Sequence, residues 1–565
     1  MTPIVLHHPP AVVAPALPAV ACAGELVSRI DVHRFAPSWR EVAERAIDPS
    51  DSVVVPATDR FRTGPILAYV QLTAGAPCTE RDRRESERLL RLQPFIASAS
   101  VKAFPDGPGR VRIRVDVVGE FPWVVGGRVS PTQIDVVRVG TLDYRGRGLS
   151  AVALFERGGA YRPGVGVSLT QYGVLGRPAV AALQLERRPL GGLTVASLSQ
   201  LFLMDVQRYA ALAEFTQEIS YAGLLRPVGD AGAVRLRRSA YDVGWVRRLG
   251  RFRPERPLGL VGLMFLGADV RTDDAVLIVS DSGLVATGDT VLAGRYRDYG
   301  VSRVAVLGGL RALRFERVER YDALRAAQDV ASGVQLNVLL APSLFRAQRT
   351  RDLLVAGDLY VGMGHASSFA SLSMRAEASP ALRSSGPWDG VVASSRLSWH
   401  IITSDRRTRV LSLSAASMHR LVFPAQLSLR DEDGGLIGFP GSRSAGGQRA
   451  VIRLEERVLT PWFPRRADVA IAAFADAGRL WAGDAPYGAD SPVRSSAGFS
   501  LLGAFPSGGK RVYRLDIGFP LNPEPGGSGI ALRFSVADRT AVVWAEPRDV
   551  ARARSGTGRA SLMRW

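Results

Sequence analysis

From residue 121 onward, apolar and polar side chains alternate one by one in segment after segment, with breaks rich in Gly, Pro, Asp or Arg between them. In "RVYRLDIGF", Tyr513, Leu515, Ile517 and Phe519 make an apolar face, and Arg514, Asp516 and Gly518 lie opposite. In "GIALRFSV", Ile530, Leu532, Phe534 and Val536 do the same against Ala531, Arg533 and Ser535. A repeat of two belongs to a strand with one face in each environment. The rhythm returns in "PGVGVSLTQYGVL", "YAALAEFTQEISY", "SRLSWHIITS", "QRAVIRLEERV" and "RRADVAIAAFADAG", so residues 121–545 are expected to be all β.

Alternation alone also fits a soluble sandwich. Three features favour a barrel in a membrane. The segments run to ten residues or more, longer than the usual strand. Small and charged residues share the polar face, as they would in a wet lumen. Aromatic residues such as Tyr513, Trp399 and Tyr221 sit among or at the ends of the apolar faces, where a membrane interface would place them. In lipid every backbone polar group must be paired, which requires the sheet to close on itself. At ~25 residues per strand with its turn, about 16 strands fit.

Residues 24–120 follow another rhythm. "LVSRIDV" alternates; "DRFRTGPILAYVQL" and "ERDRRESERLLRLQ" read as helices, the second capped by Thr79 with Asp82 three residues on and stopped by Pro94. Two more alternating segments follow, "IASASVKAF" and "GRVRIRVDVVGEF", the latter with Val111, Ile113, Val115 and Val117 on one face. The order β-α-α-β-β predicts a compact unit with helices on one face of a small sheet.

Charge changes the picture little. The chain carries 72 Lys+Arg against 53 Asp+Glu, a net charge of +19, but only Lys102 and Lys510 are lysines. The arginines are spread singly, commonly every second residue as at Arg110, Arg112 and Arg114, rather than in the clusters of a nucleic-acid binder. No apolar run approaches the roughly 20 residues of a membrane helix, a test that leaves barrels untouched. Residues 1–23 carry no charged side chain and read as an atypical export signal or a disordered segment. Cys22 and Cys78 can pair in an oxidising compartment and are otherwise inert.

A small β-α-α-β-β unit ahead of a barrel resembles the BamA/TamA-type outer-membrane assembly and translocation family, whose soluble units are called POTRA domains. Within this sequence, residues 63–104 with "RVRIRVDVVGE", ending at Glu120, resemble a POTRA domain. "LSLRDEDGGLIGFPGSRSAGGQRAVIRLEER" resembles the family's loop-six motif and the strand after it; "FADAGRLW" resembles the next strand's F-x-D-x-G; "RLDIGFPL" and "GSGIALRF" resemble its last two strands. The loop-six positions are then Leu436, Ile437, Gly438 and Phe439. In the family an arginine of that motif enters the lumen and meets the Asp of F-x-D-x-G. Here Ile437 replaces it, so Asp476, beside Gly478, is expected either to take Arg443 or Arg449 as partner or to be hydrated by lumenal water. Gly529, Leu532 and Phe534 mark the last strand and the barrel seam. The tail 546–565 is read as a periplasmic extension or, near "TAVVW", a short extra hairpin.

Histidines are scattered without metal spacing, and no nucleophile elbow, P-loop or dinucleotide glycine pattern occurs. No cofactor, metal or catalytic residue is expected. The resemblance implies a bacterial outer-membrane protein that handles unfolded outer-membrane or exported clients, touches lipid and lipopolysaccharide, and binds no nucleic acid. A dedicated exporter of one partner protein, or a passive porin, is the alternative.

Overall fold

A computed structural model describes residues 18–35, 53–55 and 60–554, apart from 131–132, 158–160, 227–229, 251–255, 281–282, 293, 297, 347–351, 366, 380–388, 464–465, 526–528 and 539–544. Most of the expected export segment, Gly526, Gly527, "TAVVW" and residues 555–565 lie outside the described residues.

The alternating segments become 20 strands closed into one antiparallel barrel, with Trp123–Ser130 and Ala531–Asp538 as neighbours at the closing seam. A short hairpin, Leu277–Ser280 with Gly283–Ala286, extends from this wall; the strands flanking it pair directly, Leu258–Thr272 with Tyr299–Val318. The count corrects the expectation of about 16. Strands between Trp123 and Gln200 are only eight to ten residues long and joined by short turns, Pro189 and Leu190 alone linking Val180–Arg188 to Gly191–Gln200. A wall of short strands uses fewer residues per crossing than the assumed spacing. No described helix is long and apolar enough to cross a membrane.

The pleat sends each face where the pattern requires. Leu515, Ile517 and Phe519 point outward, while Val512, Asp516 and Gly518 of the same strand are buried inside. "LGLVGLMFLGADV" is a wall strand too: Val261, Leu263 and Phe265 are exposed outside, and Leu260, Met264 and Leu266 are buried within. The interior therefore has two characters. Arginine and carboxylate pairs line the strands from Ser368 to Asp538. On the strands from Tyr209 to His365 an apolar cluster of Leu212, Val246, Leu307 and Leu339 faces inward beside the buried pair Arg303–Asp352.

The N-terminal unit is a five-stranded sheet. Arg110–Gly119 lies at its centre, parallel to Ala23–Phe35 and antiparallel to Ile96–Pro105, with the short strands Val53–Val55 and Pro77–Thr79 added to Ala23–Phe35. The inward valines at 111, 115 and 117, with Ile113, are at most 2% exposed and form the core with Leu89, Leu90 and Phe95. The helix Glu80–Arg91 starts where Thr79 Oγ1 accepts the amide of Asp82 at 3.1 Å, satisfying a donor the helix leaves open. Cys22 and Cys78 form a disulfide.

This sheet sits on one rim of the barrel. Arg91 pairs with Asp329 at 2.7 Å, Arg88 donates to the Leu203 carbonyl at 2.6 Å, and Lys510 reaches under the helix to the Arg91 carbonyl. Glu120 accepts the Lys510 amide at 2.6 Å. These contacts fall on turns and strand ends of the same rim, and Phe95 packs on Tyr172 at the end of the strand Gly164–Tyr172.

Candidate functional site

The loop between the strands Arg407–His419 and Gln448–Leu459 does not stay outside the ring. It folds inward and pins itself by a two-residue ladder, Leu427–Ser428 against Ala445–Gly446. Its apolar residues Leu427, Leu429, Leu436 and Phe439 are buried with Val451 and Leu480 of the wall. A loop rich in Gly and Ser has the backbone freedom for such a path, and burying its few apolar groups offsets the lost entropy.

The tip is seated on an inner wall of small residues. Phe474, Asp476 and Gly478 alternate inward on one strand, and Ser496 and Gly518 sit beside them on the next two. The Ile437 amide donates to Asp476 Oδ2 at 3.1 Å and the Gly438 amide to Ser496 Oγ at 3.2 Å. Gly438 has no room for a side chain: a Cβ there would lie 2.6 Å from Ser496 Cβ and 3.1 Å from the Pro520 nitrogen. Across the contact, a Cβ on Gly518 would lie 3.2 Å from the Gly438 nitrogen. On Gly478 it would lie 3.3 Å from Leu436 Cδ2. Both surfaces are small where they meet.

Asp476 is fully engaged. Besides the Ile437 amide, it accepts from Ser496 Oγ and from Arg453 Nη2 at 2.9 Å. Arg453 also donates to the Gly435 carbonyl at 3.2 Å, so one guanidinium ties wall and loop together. The partner sought among Arg443 and Arg449 is thus neither. The backbone amide of Arg443 binds Glu524 at 3.0 Å, and Arg449 is committed to Asp549 at 2.6 Å. Arg453 stands directly opposite Asp476 in the strand register, where a short reach suffices. The buried carboxylate is paired and hydrogen-bonded as its burial demands.

Farther along the wall, Glu455 accepts from Arg514 at 2.9 Å and from Arg457, which also reaches Asp322 at 3.2 Å. Arg514 continues to Asp516 at 2.6 Å and Ser500 at 2.8 Å. The described residues from 545 onward also enter the lumen. Val550 and Ala553 of the helix Arg548–Ala553 are buried against the loop cluster, and Asp549 lies between Arg449 and the Ser428 amide. No periodicity marked that segment, and alternating charge gave no sign that it would be buried. Gly529 is exposed just ahead of the last strand, from which Leu532 and Phe534 point outward. Among the described residues, no group of three His, Cys, Asp or Glu could hold a metal ion.

No family model matches the chain, and no curated protein does. Among solved structures, it is similar to CdiB from Escherichia coli, with 12% identity, 91% of this chain and 76% of that one covered, and a TM-score of 0.46. It is similar to BamA from Haemophilus ducreyi lacking POTRA domains 1–3, with 13% identity, 91% and 85% covered, and a TM-score of 0.38. The corresponding values for CdiB from Acinetobacter baumannii are 10%, 91% and 73%, and 0.38.

Proposed function

We propose that this chain is an outer-membrane protein of the BamA/TamA type that assembles or translocates other proteins, with residues 24–120 as a periplasmic POTRA domain. The observation that carries this reading is the seating of Leu436–Phe439 on the Asp476 and Gly478 face of the inner wall, tied by Arg453. The outer surface supports the membrane setting: large side chains such as Phe265, Leu336, Leu454 and Phe499 are exposed on it, and lipid is the medium that covers such a band.

Clients would bind as strands. The motif strand Arg110–Gly119 is central and saturated on both sides, so addition to the sheet falls to the edge strand Ile96–Pro105. A second edge lies at the barrel seam. Its two strands have eight residues each. A lumen filled by the loop and residues 545–554 speaks against a passive porin. A dedicated exporter of one partner protein shares every feature named.

Depletion of the protein followed by quantitation of the outer-membrane proteome separates the two. Loss of many barrels supports assembly, and loss of one exported protein supports the exporter. An unchanged membrane and secreted proteome would defeat both.

A further inference from the structure

Inside the lumen, two carboxylates of the C-terminal segment are received by groups built into the wall and the loop. Glu546 accepts from the Arg375 guanidinium at 3.2 Å and from the Ser394 hydroxyl, and within its own segment from Arg554 at 2.6 and 2.8 Å; Arg375 and Ser394 are register partners on adjacent strands. Three residues on, Asp549 accepts from Arg449 at 2.6 and 3.2 Å and from the Ser428 amide at 3.3 Å. Arg449 also donates to the Ser428 carbonyl at 2.7 Å, so the second seat is shared between wall and loop. Between the seats, a Cβ on Gly434 would fall 2.8 Å from Pro547 Cβ, and Val550 is wholly buried. Arg554 closes the segment on Glu377 at 3.6 Å and accepts from Arg238 at its carbonyl, at 2.7 Å.

A guanidinium is the usual means of recognising a carboxylate on a peptide; Arg449 is devoted to Asp549, whereas Arg375 serves Asp358 of the wall at 2.6 Å as well as Glu546. Here the ligand belongs to the same chain, held by ion pairs, hydrogen bonds and a small apolar contact rather than by strand pairing. Such contacts can be reproduced by any segment that offers two carboxylates at the same spacing. We propose that Arg375 with Ser394 and Arg449 with Ser428 form a lumenal receptor for polypeptide segments with carboxylates three residues apart, and that residues 545–554 occupy it as an internal ligand which a client segment bearing such a pair displaces. The client as source of the rival segment rests on the transport reading; the receptor does not. Tethering favours the internal ligand by effective concentration, so a second peptide reaches the seats more readily when the tail is absent or neutralised.

The test uses the purified chain in detergent and a fluorescent peptide of residues 545–554. A form ending at residue 544, shown to be folded by its faster migration when unboiled, should bind the peptide at least about tenfold more tightly than the full chain. A peptide carrying Glu546→Gln and Asp549→Asn should lose about tenfold or more against the truncated form. Equal binding of the charged and neutral peptides, or no gain on truncation, overturns the proposal. If the truncated form does not fold, the full chain with Glu546→Gln and Asp549→Asn replaces it: it should bind the charged peptide more tightly than the unaltered chain, and equal binding overturns the proposal. Failure of the depletion experiment would leave these outcomes untouched, so the two readings fall separately.

Discussion

Arg453 and Asp476 face each other across adjacent strands and pair at 2.9 Å, and the same carboxylate holds the amide of Ile437. The family resemblance assigns the cation to the loop; here the wall supplies it, and the loop contributes the Ile437 amide, the Gly435 carbonyl and, at 3.9 Å, the Asp431 carboxylate. Removing Asp476 leaves a guanidinium and a buried amide without their acceptor. Asp476→Ala is expected to cost about 3 kcal/mol and to free the loop, while Arg453→Lys retains part of the pairing. Hydrogen exchange of residues 427–446 in the detergent-solubilised protein reads this out. Unchanged protection in Asp476→Ala would show that the loop is held by other means.

The tightness at Gly438 predicts a coupled pair. Gly438→Ala places a methyl group against Ser496 Cβ and should destabilise the seated loop by about 2 kcal/mol. Ser496→Gly removes the obstructing atom, along with the hydrogen bond to Asp476 and the acceptor of the Gly438 amide. The double variant should therefore lose less than the sum of the two single losses, measured as the temperature at which the fast-migrating form disappears.

Cys22 and Cys78 close a loop across 56 residues of sequence. Replacing both with Ser should lower the stability of the N-terminal sheet by about 4 kcal/mol through the enlarged unfolded ensemble, leaving the barrel's heat-modifiable migration intact. Calorimetry of the full chain with and without reductant measures the difference.

The first turn of the helix Glu80–Arg91 is sensitive to acid. A hydrogen bond from Arg83 holds the Glu80 carboxyl down to about 2; partial burial works against it, and Arg84 reinforces the lowering. A depressed carboxyl contributes stability that is complete above its ordinary value of about 4.3 and is lost as pH falls through about 2. Glu80→Gln should accordingly lower the melting temperature of the N-terminal sheet at about pH 6 and have no effect below about pH 2. The group is partly exposed, so the effect is small and shrinks in high salt.

Docking of the sheet on the rim rests heavily on Arg91, which pairs with Asp329 while both side chains are 6% exposed. Asp329→Asn should loosen the domain at a cost of about 3 kcal/mol. Limited proteolysis between residues 119 and 123 would register the change as faster cleavage.

Much of the barrel was legible because its physics is local. A strand with lipid on one side and charge on the other must alternate, and Leu515, Ile517, Phe519 and their counterparts do so. The number of strands was not, because it depends on turn lengths such as the two residues at Pro189 and Leu190. The partner of Asp476 is fixed by strand register, which sets Arg453 opposite and leaves Arg449 two steps away on the same inward face. Alternation places both in the lumen; pairing alone decides which meets the carboxylate. Burial of residues 545–554 had no periodic signature, since Glu546 and Arg554 are acceptable inside through their mutual pair and the distant Arg375 and Glu377, and Asp549 through Arg449.

The near-absence of lysine has a practical outcome. Of the two side-chain amines, Lys102 is exposed, whereas Lys510 is 1% exposed, wedged between the Arg91 carbonyl and the rim. An acylating reagent will therefore modify one lysine while the sheet rests on the barrel and two once it lifts away, making a single buried ammonium a natural gauge of domain separation that needs no engineered probe.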